Sequence, residues 1–371
     1  MQRVYLDYNA SAPIHPIAQA AVVEALRTVG NASSIHTHGR AVRSLLEEAR
    51  FKVAEFFTVK PAQVIFTSGA TEANNLIIKG FSGQVITSAI EHDSILEADK
   101  AAFRCAVDGH GRVDLLQLEE LLKQSGGSTL VSIMAANNET GVVQPLADII
   151  TLARQYGAQV HCDAVQAIGK LPLDWKELKP DFISISGHKI GALQGIGALI
   201  INEHIPLTPL IRGGGQERYF RSGTENSLGI ISLGAVIENC KTQHWVAIQK
   251  LRDTLEQRLT TLCPELKIFG SPAERLPNTS CFATPGMASN TQVMHFDLMG
   301  ISVSAGSACS SGKVKVSHVL KAMNVPAPSL QQSLRVSLGH STTEREIDHF
   351  IKVWQDLYDR THSNLKERIG A

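Results

Sequence analysis

Apolar runs at positions 63 to 68, 84 to 88, 129 to 135, 159 to 165, 181 to 186 and 197 to 202 alternate along the chain with stretches of helical periodicity. Near-continuous apolar runs of this length suit strands buried on both faces, and their alternation with helices predicts an α/β fold with a mostly parallel sheet covered by helices. The helical pattern is clearest at 39 to 57, where Arg43 and Glu47 stand four apart, at 73 to 79, and at 145 to 156, which Pro145 opens. From 224 to about 260 a nearly unbroken helical pattern leaves this region. Beyond it, short strands at Thr279–Ala283 and Leu334–Leu338 mix with helices near 290 to 299 and 343 to 365, the last opened by Thr343 and Glu346 at capping-box spacing. The pattern predicts a large domain over 13–245 and a smaller α+β domain made of 1–12 and 246–371.

Chemistry gathers where the strand-like runs stop. Ser186-Gly187-His188-Lys189 follows the run from Asp181 to Ile185, and a lysine just beyond a buried strand is set to lose its proton and condense with an aldehyde. That points to pyridoxal phosphate, which also needs an anion near its ring nitrogen, donors around its phosphate and a group packed over its ring. Asp163 is the candidate anion, at the end of Gln159-Val160-His161-Cys162-Asp163, and Gln166 is spaced to reach the ring oxygen. Phosphate donors are suggested by the run Val64-Ile65-Phe66-Thr67 leading through Ser68-Gly69 into a helix start, with Ser186 and His188 adding side chains. Asn138 belongs to a polar cluster after the run from Thr129 to Ala135.

Taken in order, the segments FTSGATEANN, EH at 91 and 92, NNETG, HCDAVQ, SGHK, RGGGQERYFRSGT, SAGSACSSG and SLRVSLG resemble those of the cysteine desulfurases. These belong to the class V aminotransferase group of fold-type I pyridoxal-phosphate enzymes. The resemblance runs from Tyr5-Leu6-Asp7-Tyr8-Asn9 to the final helix, nearly the whole chain. It implies that Lys189 is the Schiff-base lysine, Asp163 the partner of the ring nitrogen, Gln166 the partner of the ring oxygen and His92 the group over the ring. Ala70, Thr71, Ser186 and His188 would hold the phosphate, joined by Thr224 from the second subunit of a homodimer, and Asn138 would lie beside the cofactor. Asn31 and Arg335 would bind the substrate carboxylate, a task that a planar guanidinium suits through paired hydrogen bonds.

Cys309 separates a desulfurase from an ordinary aminotransferase. It lies in Ser304-Ala305-Gly306-Ser307-Ala308-Cys309-Ser310-Ser311-Gly312, a small, polar, glycine-bearing stretch that suits a mobile loop better than a packed strand. The implied reaction takes L-cysteine to alanine, with Lys189 moving the α-proton, His92 carrying a proton and Cys309 receiving the sulfur as a persulfide for an acceptor protein. The other cysteines, Cys105, Cys162, Cys240, Cys263 and Cys281, read as buried and inert.

Composition narrows the alternatives. Lys plus Arg equal Asp plus Glu at 35 each, which gives no electrostatic ground for binding nucleic acid. Scattered cysteines without a CxxC pair argue against structural zinc or a disulfide framework, and His36, His38 and His161 fit no metal motif, so no catalytic metal is expected. The start of the chain lacks a signal-peptide core and no run reaches transmembrane length, which makes a reducing cytoplasm the expected setting.

The chain departs from the family's usual pattern at Ile190-Gly191-Ala192-Leu193-Gln194-Gly195, after the lysine, and at Lys313-Val314-Lys315-Val316, after Cys309. It also ends at Ala371 without the longer tail with which many iron-sulfur-assembly members dock a scaffold. Two other functions stay open at this point. One is a class V enzyme acting on another amino acid, an aminotransferase or selenocysteine lyase; the other is a non-catalytic sulfur-carrier module.

Overall fold

The computed structural model describes residues 3–240, 245–305 and 316–369. Its strands are β1 (Val4–Tyr5), β2 (Val64–Thr67), β3 (Gln84–Ser88), β4 (Phe103–Cys105), β5 (Thr129–Met134), β6 (Gln159–Asp163), β7 (Phe182–Ser186), β8 (Gly197–Ile201), β9 (Lys267–Ile268), β10 (Thr279–Ala283), β11 (Ile301–Ser302), β12 (Ser304–Ala305) and β13 (Ser333–Ser337). A seven-stranded sheet runs in the order β2-β8-β7-β6-β5-β3-β4. Its neighbours are parallel except at β8, which runs antiparallel to both β2 and β7.

Alternation within each strand explains why both faces are covered. Ile65, Val85, Leu130, Phe182, Leu199 and Ile201 pack on one side with Leu76 and Ile77 of the helix Ala70–Gly80. Their neighbours Phe66, Ile86, Val131, Val160, Ile183 and Ile200 face the other side with Leu46, Val53 and Phe57 of the helix Thr37–Phe57 and Leu233 of the helix Ser227–Ile237. Side chains alternate across a pleated strand, so a strand between two helical layers is apolar at every position. The six residues of β5 are accordingly all buried.

A second sheet, β12-β13-β10-β9, is antiparallel throughout. Its core joins Phe282, Leu334 and Val336 to Leu255 and Leu259 of the helix Trp245–Leu262 and to Phe350 and Trp354 of the helix Glu344–Ile369. Phe296 stacks on Phe350 with ring centroids 4.6 Å apart. The N-terminal segment returns to this unit: β1 pairs with β11, Val4 and Leu6 enter its core, and Asp7 bridges to Ser337.

The long helical pattern after 224 divides into the helices Ser227–Ile237 and Trp245–Leu262. The capping box at Thr343 and Glu346 forms, with the Thr343 N–H donating to Glu346 Oε2 at 2.7 Å. Strand β4 and the helices Pro16–Ala25 and Leu115–Gln124 add to the elements that periodicity marked. Among the described residues no helix is long and apolar enough to cross a membrane.

Candidate active site

Strands β2, β3, β5, β6 and β7 all end at one edge of the large sheet, where open α/β sheets bind their ligands. The segments that follow them line a cavity of about 870 Å³. It collects His92, Ala70, Thr71, Asn138, Asp163, Gln166, Ser186, His188, Lys189 and Arg335.

A one-turn 3-10 helix, Gly187–Lys189, carries Lys189 past the end of β7. The lysine Nζ donates to the carbonyls of Asn9 at 2.6 Å and Ala10 at 2.8 Å. Burial, assisted by the nearby Arg335 charge, lowers its pKa to about 8 against the opposing pull of Asp7 and Asp163. A sizeable neutral amine fraction near that pH is what a lysine nucleophile requires.

Asp163 ends β6 and accepts hydrogen bonds from Asn74 Nδ2 at 2.9 Å and the Val165 N–H at 3.0 Å. Burial nevertheless raises its pKa, although those donors and the nearby His92 and Lys189 oppose the shift. Among the described residues no cation forms an ion pair with it. A buried carboxylate satisfied only by neutral donors suits a protonated ring nitrogen, which would supply the missing charge.

His92 caps the short helix Asp93–Leu96, its Nδ1 accepting from the Ser94 N–H at 3.1 Å and lying 2.9 Å from the Ser94 hydroxyl. Because a backbone N–H donates to Nδ1, the proton of the neutral ring sits on Nε2. Asn74 Nδ2 also donates to Ser94 Oγ at 2.9 Å, so one buried carboxamide ties Asp163 to His92.

Along another wall of the cavity, β2 leads through Ser68 and Gly69 into the helix Ala70–Gly80, whose N-terminus suits an anion. Glu72 in its first turn accepts from the Ser68 N–H at 2.9 Å and pairs with Arg221 at 3.0 Å. His188 is pushed down to about 4 by burial and the adjacent Lys189, which keeps it neutral at ordinary pH.

Arg335, on β13, reaches the cavity from the second sheet. Its Nη2 donates to Asp7 Oδ1 at 2.7 Å and its Nη1 to the Asn138 carbonyl at 3.0 Å, while the buried Nε has no partner among the described residues. Asp7 is held in turn by the Ser304 hydroxyl at 2.8 Å. A buried guanidinium with a spare N–H suits an anionic substrate group.

Two further carboxyls sit nearby. Burial raises the Glu91 carboxyl to about 8, although the Ser88 hydroxyl at 2.5 Å and the Met134 N–H at 3.0 Å donate to it. Glu139 is raised to about 7 by the same cause and accepts from the Ser317 hydroxyl at 2.6 Å.

Asn31 and Thr224 are exposed and lie outside the 870 Å³ cavity, and Asn31 Oδ1 accepts locally from the Ser33 N–H at 2.8 Å. The loops bearing them border a second cavity of about 440 Å³ that includes Ser33, Arg50, Glu217 and Glu225. Cys309, with Lys313-Val314-Lys315, lies outside the described residues. Burial raises the thiols of Cys105 and Cys240 to about 12 and pushes those of Cys162 and Cys281 well up, so none of the four is a ready thiolate. His161 is buried between Ser132 and Ser184, at 2.8 and 2.9 Å, and His36 caps the helix Thr37–Phe57.

Asn9, Asn74 and Lys170 escaped the sequence reading. Asn9 and Asn74 stand inside the quoted motifs with no chemistry of their own to mark them, and Lys170 follows an apolar stretch as many surface lysines do. Only the tertiary arrangement shows that all three are buried at the site.

A fold with this edge cavity, a buried lysine and a facing carboxylate defines a class, and comparison with known proteins specifies it further. The aminotransferase class-V family model matches residues 4–350. A cysteine desulfurase of Cereibacter sphaeroides is 39% identical over 97% of both chains, and an IscS-like cysteine desulfurase of Mycobacterium tuberculosis is 36% identical over 99% of both. The X-ray structure of a NifS-like protein from Rickettsia africae superposes with a TM-score of 0.91 at 39% identity, covering 96% of this chain and 100% of that one. The structure of SspA in complex with cysteine superposes at 0.80 with 27% identity, covering 92% and 100%. The chain belongs to the aminotransferase class-V family and, within it, to the cysteine desulfurases. This family depends on pyridoxal phosphate and uses L-cysteine.

Proposed function

We propose that this protein is a pyridoxal-phosphate-dependent cysteine desulfurase, converting L-cysteine to L-alanine and retaining the sulfur as a persulfide on Cys309. The observation that carries the reading is the convergence of Lys189, Asp163 and Arg335 on one cavity, brought there by three different strands. The residues present fit the cofactor. Lys189 would hold it covalently, Asp163 would face its ring nitrogen, Gln166 its ring oxygen and His92 its ring. Ala70, Thr71, Ser186 and His188 would surround its phosphate, with Asn138 beside it. When bound, it would supply an electron sink for charge developing at the substrate α-carbon.

The chain's own groups account for the rest. Arg335, locked by Asp7 and the Asn138 carbonyl, lines the cavity and would meet the substrate carboxylate there, which would fix the amino acid's orientation. Lys189, with its pKa lowered to about 8, is able both to take a proton from carbon and to return one. His92 carries its proton on Nε2, held there by Ser94. Cys309 thiolate forms the new S–S bond as the substrate's carbon–sulfur bond breaks, and the electron pair left on carbon takes a proton to complete alanine.

Exposed apolar residues on and after the helix Pro16–Ala25, among them Val23, Leu26, Val29 and Ile35, support a homodimer in which Thr224 and Asn31 serve the partner's site. The division into a large unit over 13–245 and a small one over 1–12 and 246–371 is supported by the two sheets and by the cluster around Phe282, Leu334 and Trp354, while Cys281, Ala283, Val319 and Leu320 pack across into the core of the large sheet. A reducing cytoplasm suits a working thiol, and the persulfide would pass to an acceptor protein.

The test is alanine and sulfide release from L-cysteine with added thiol, comparing wild type with Cys309→Ala. Equal amounts of both products from wild type, and loss of release in the variant with its visible cofactor band intact, is the expected result. A wild type with a normal cofactor band but no release would overturn the reading and turn attention to other amino acids.

A further inference from the structure

Lys170 is a buried lysine that the mechanism above does not use, with 5% of its surface exposed. Its Nζ donates to Gln166 Oε1 at 2.8 Å and Asn9 Oδ1 at 3.2 Å. Both partners are acceptors, so the amine is the donor in both bonds, and even a neutral amine has the two N–H groups this needs. Among the described residues it makes no ion pair with a carboxylate, and Lys189 and Arg335 are its charged neighbours. Burial and those two cations lower its pKa to about 7.

The consequence falls on Gln166. A carboxamide can turn end for end at little cost, which exchanges its donor and acceptor. Lys170 occupies the oxygen end, so the NH2 end must lie opposite, where one N–H donates to the Asn9 carbonyl at 3.0 Å. The second N–H remains for a ligand in the cavity that Gln166 lines. The same Asn9 carbonyl receives Lys189 Nζ at 2.6 Å, so one backbone oxygen registers both groups. Asn9 is itself fixed, its Nδ2 donating to Thr279 Oγ1 at 2.8 Å and its Oδ1 accepting from Asn278 Nδ2 at 3.1 Å.

We propose that Lys170 is a positioning residue that sets the direction of the Gln166 carboxamide, holding its donor end toward the ring oxygen of the cofactor. The proposal rests on the pyridoxal-phosphate reading given above. A donor on that oxygen stabilises its anionic form and lowers the pH midpoint of the bound cofactor's visible absorption change.

The experiment is a pH titration of that absorption in reconstituted wild type, Lys170→Met, Gln166→Leu and the double variant. Methionine keeps the volume and removes the donor. Each single variant should raise the midpoint by about one pH unit, and the double variant should match Gln166→Leu, because Lys170 acts through Gln166. Gln166→Leu carries the test even if Lys170→Met does not fold. An unmoved midpoint in Gln166→Leu, or a further equal rise when Lys170→Met is added to it, would overturn the proposal. A wild type that develops no visible band with pyridoxal phosphate would overturn the cofactor reading as well, which keeps the two failures distinct.

Discussion

Residues near the sheet edge have their acid-base properties set chiefly by burial. The same cause moves Lys189 and Lys170 down and Glu91 and Glu139 up, because each charged form loses its water. For Glu91 this has a consequence for stability. Its folded pKa of about 8 lies above the 4.5 of an exposed glutamate, so the fold keeps a proton that the unfolded chain releases as pH rises past 4.5. Wild-type stability should therefore fall between pH 4.5 and pH 8 by this group's contribution. Glu91→Gln keeps an acceptor for Ser88 and Met134 and should be the more stable protein near pH 7.5, by on the order of 4 kcal/mol, with the advantage vanishing toward pH 4. Denaturant unfolding at the two pH values checks this, and a variant less stable than wild type at both would contradict it. At this scale the placing of Lys189 and Asp163 was legible because each stands at the end of its own apolar run, whereas His92 was marked only by the resemblance to a known family. Lys170 and Asn9 were not legible, because their partners come from distant elements, as when Asn9 meets Thr279 and Asn278.

Among elements, the strands were read well because burial on both faces leaves a continuous apolar run, as in β5. Strand β4, Phe103–Cys105, was missed because it is short and contains Arg104. The direction of β8 was also hidden, since an antiparallel strand between two helical layers looks like its parallel neighbours. The loop Gln216–Tyr219 shows how elements are locked together near the site. Glu217, Arg218 and Tyr219 all take left-handed backbone angles, with φ of 42°, 54° and 68°, which non-glycine residues adopt at a cost. The buried pair of Arg50 with Glu217, at 2.8 Å through both Nη1 and Nη2, holds them there, and Glu217 Oε2 also accepts from the Phe66 N–H at 2.8 Å. Since Phe66 lies on β2, this fixes the loop to the strand that leads into the Ser68-Gly69 turn at the cavity. Glu217→Ala leaves the buried Arg50 guanidinium with only Glu47 at 3.2 Å and the Val64 carbonyl at 2.7 Å, takes the acceptor from the Phe66 N–H, and should lower stability by about 3 kcal/mol. Thermal or denaturant unfolding measures this, and a loss below about 0.5 kcal/mol would show the pair to be dispensable.

For the molecule as a whole, the cavity depends on two sheets meeting, and their cores join where Cys281, Ala283, Val319 and Leu320 pack into the cluster of the large sheet. The large sheet supplies Lys189 and Asp163, and the smaller unit supplies Arg335, which Asp7 of the N-terminal segment holds in place. In the proposed reading that arrangement would orient an α-amino acid by its carboxylate beside a buried amine, which general amino-acid chemistry shares, and Cys309 would make the sulfur outcome specific. The central claim is therefore best tested by one turnover of ³⁵S-labelled L-cysteine on the reconstituted protein with no added thiol. The account predicts one alanine formed per active chain and the label retained on the peptide containing Cys309, released afterwards by thiol. Alanine formed without retained label, label on another cysteine, or no alanine from protein with a normal cofactor band would contradict it.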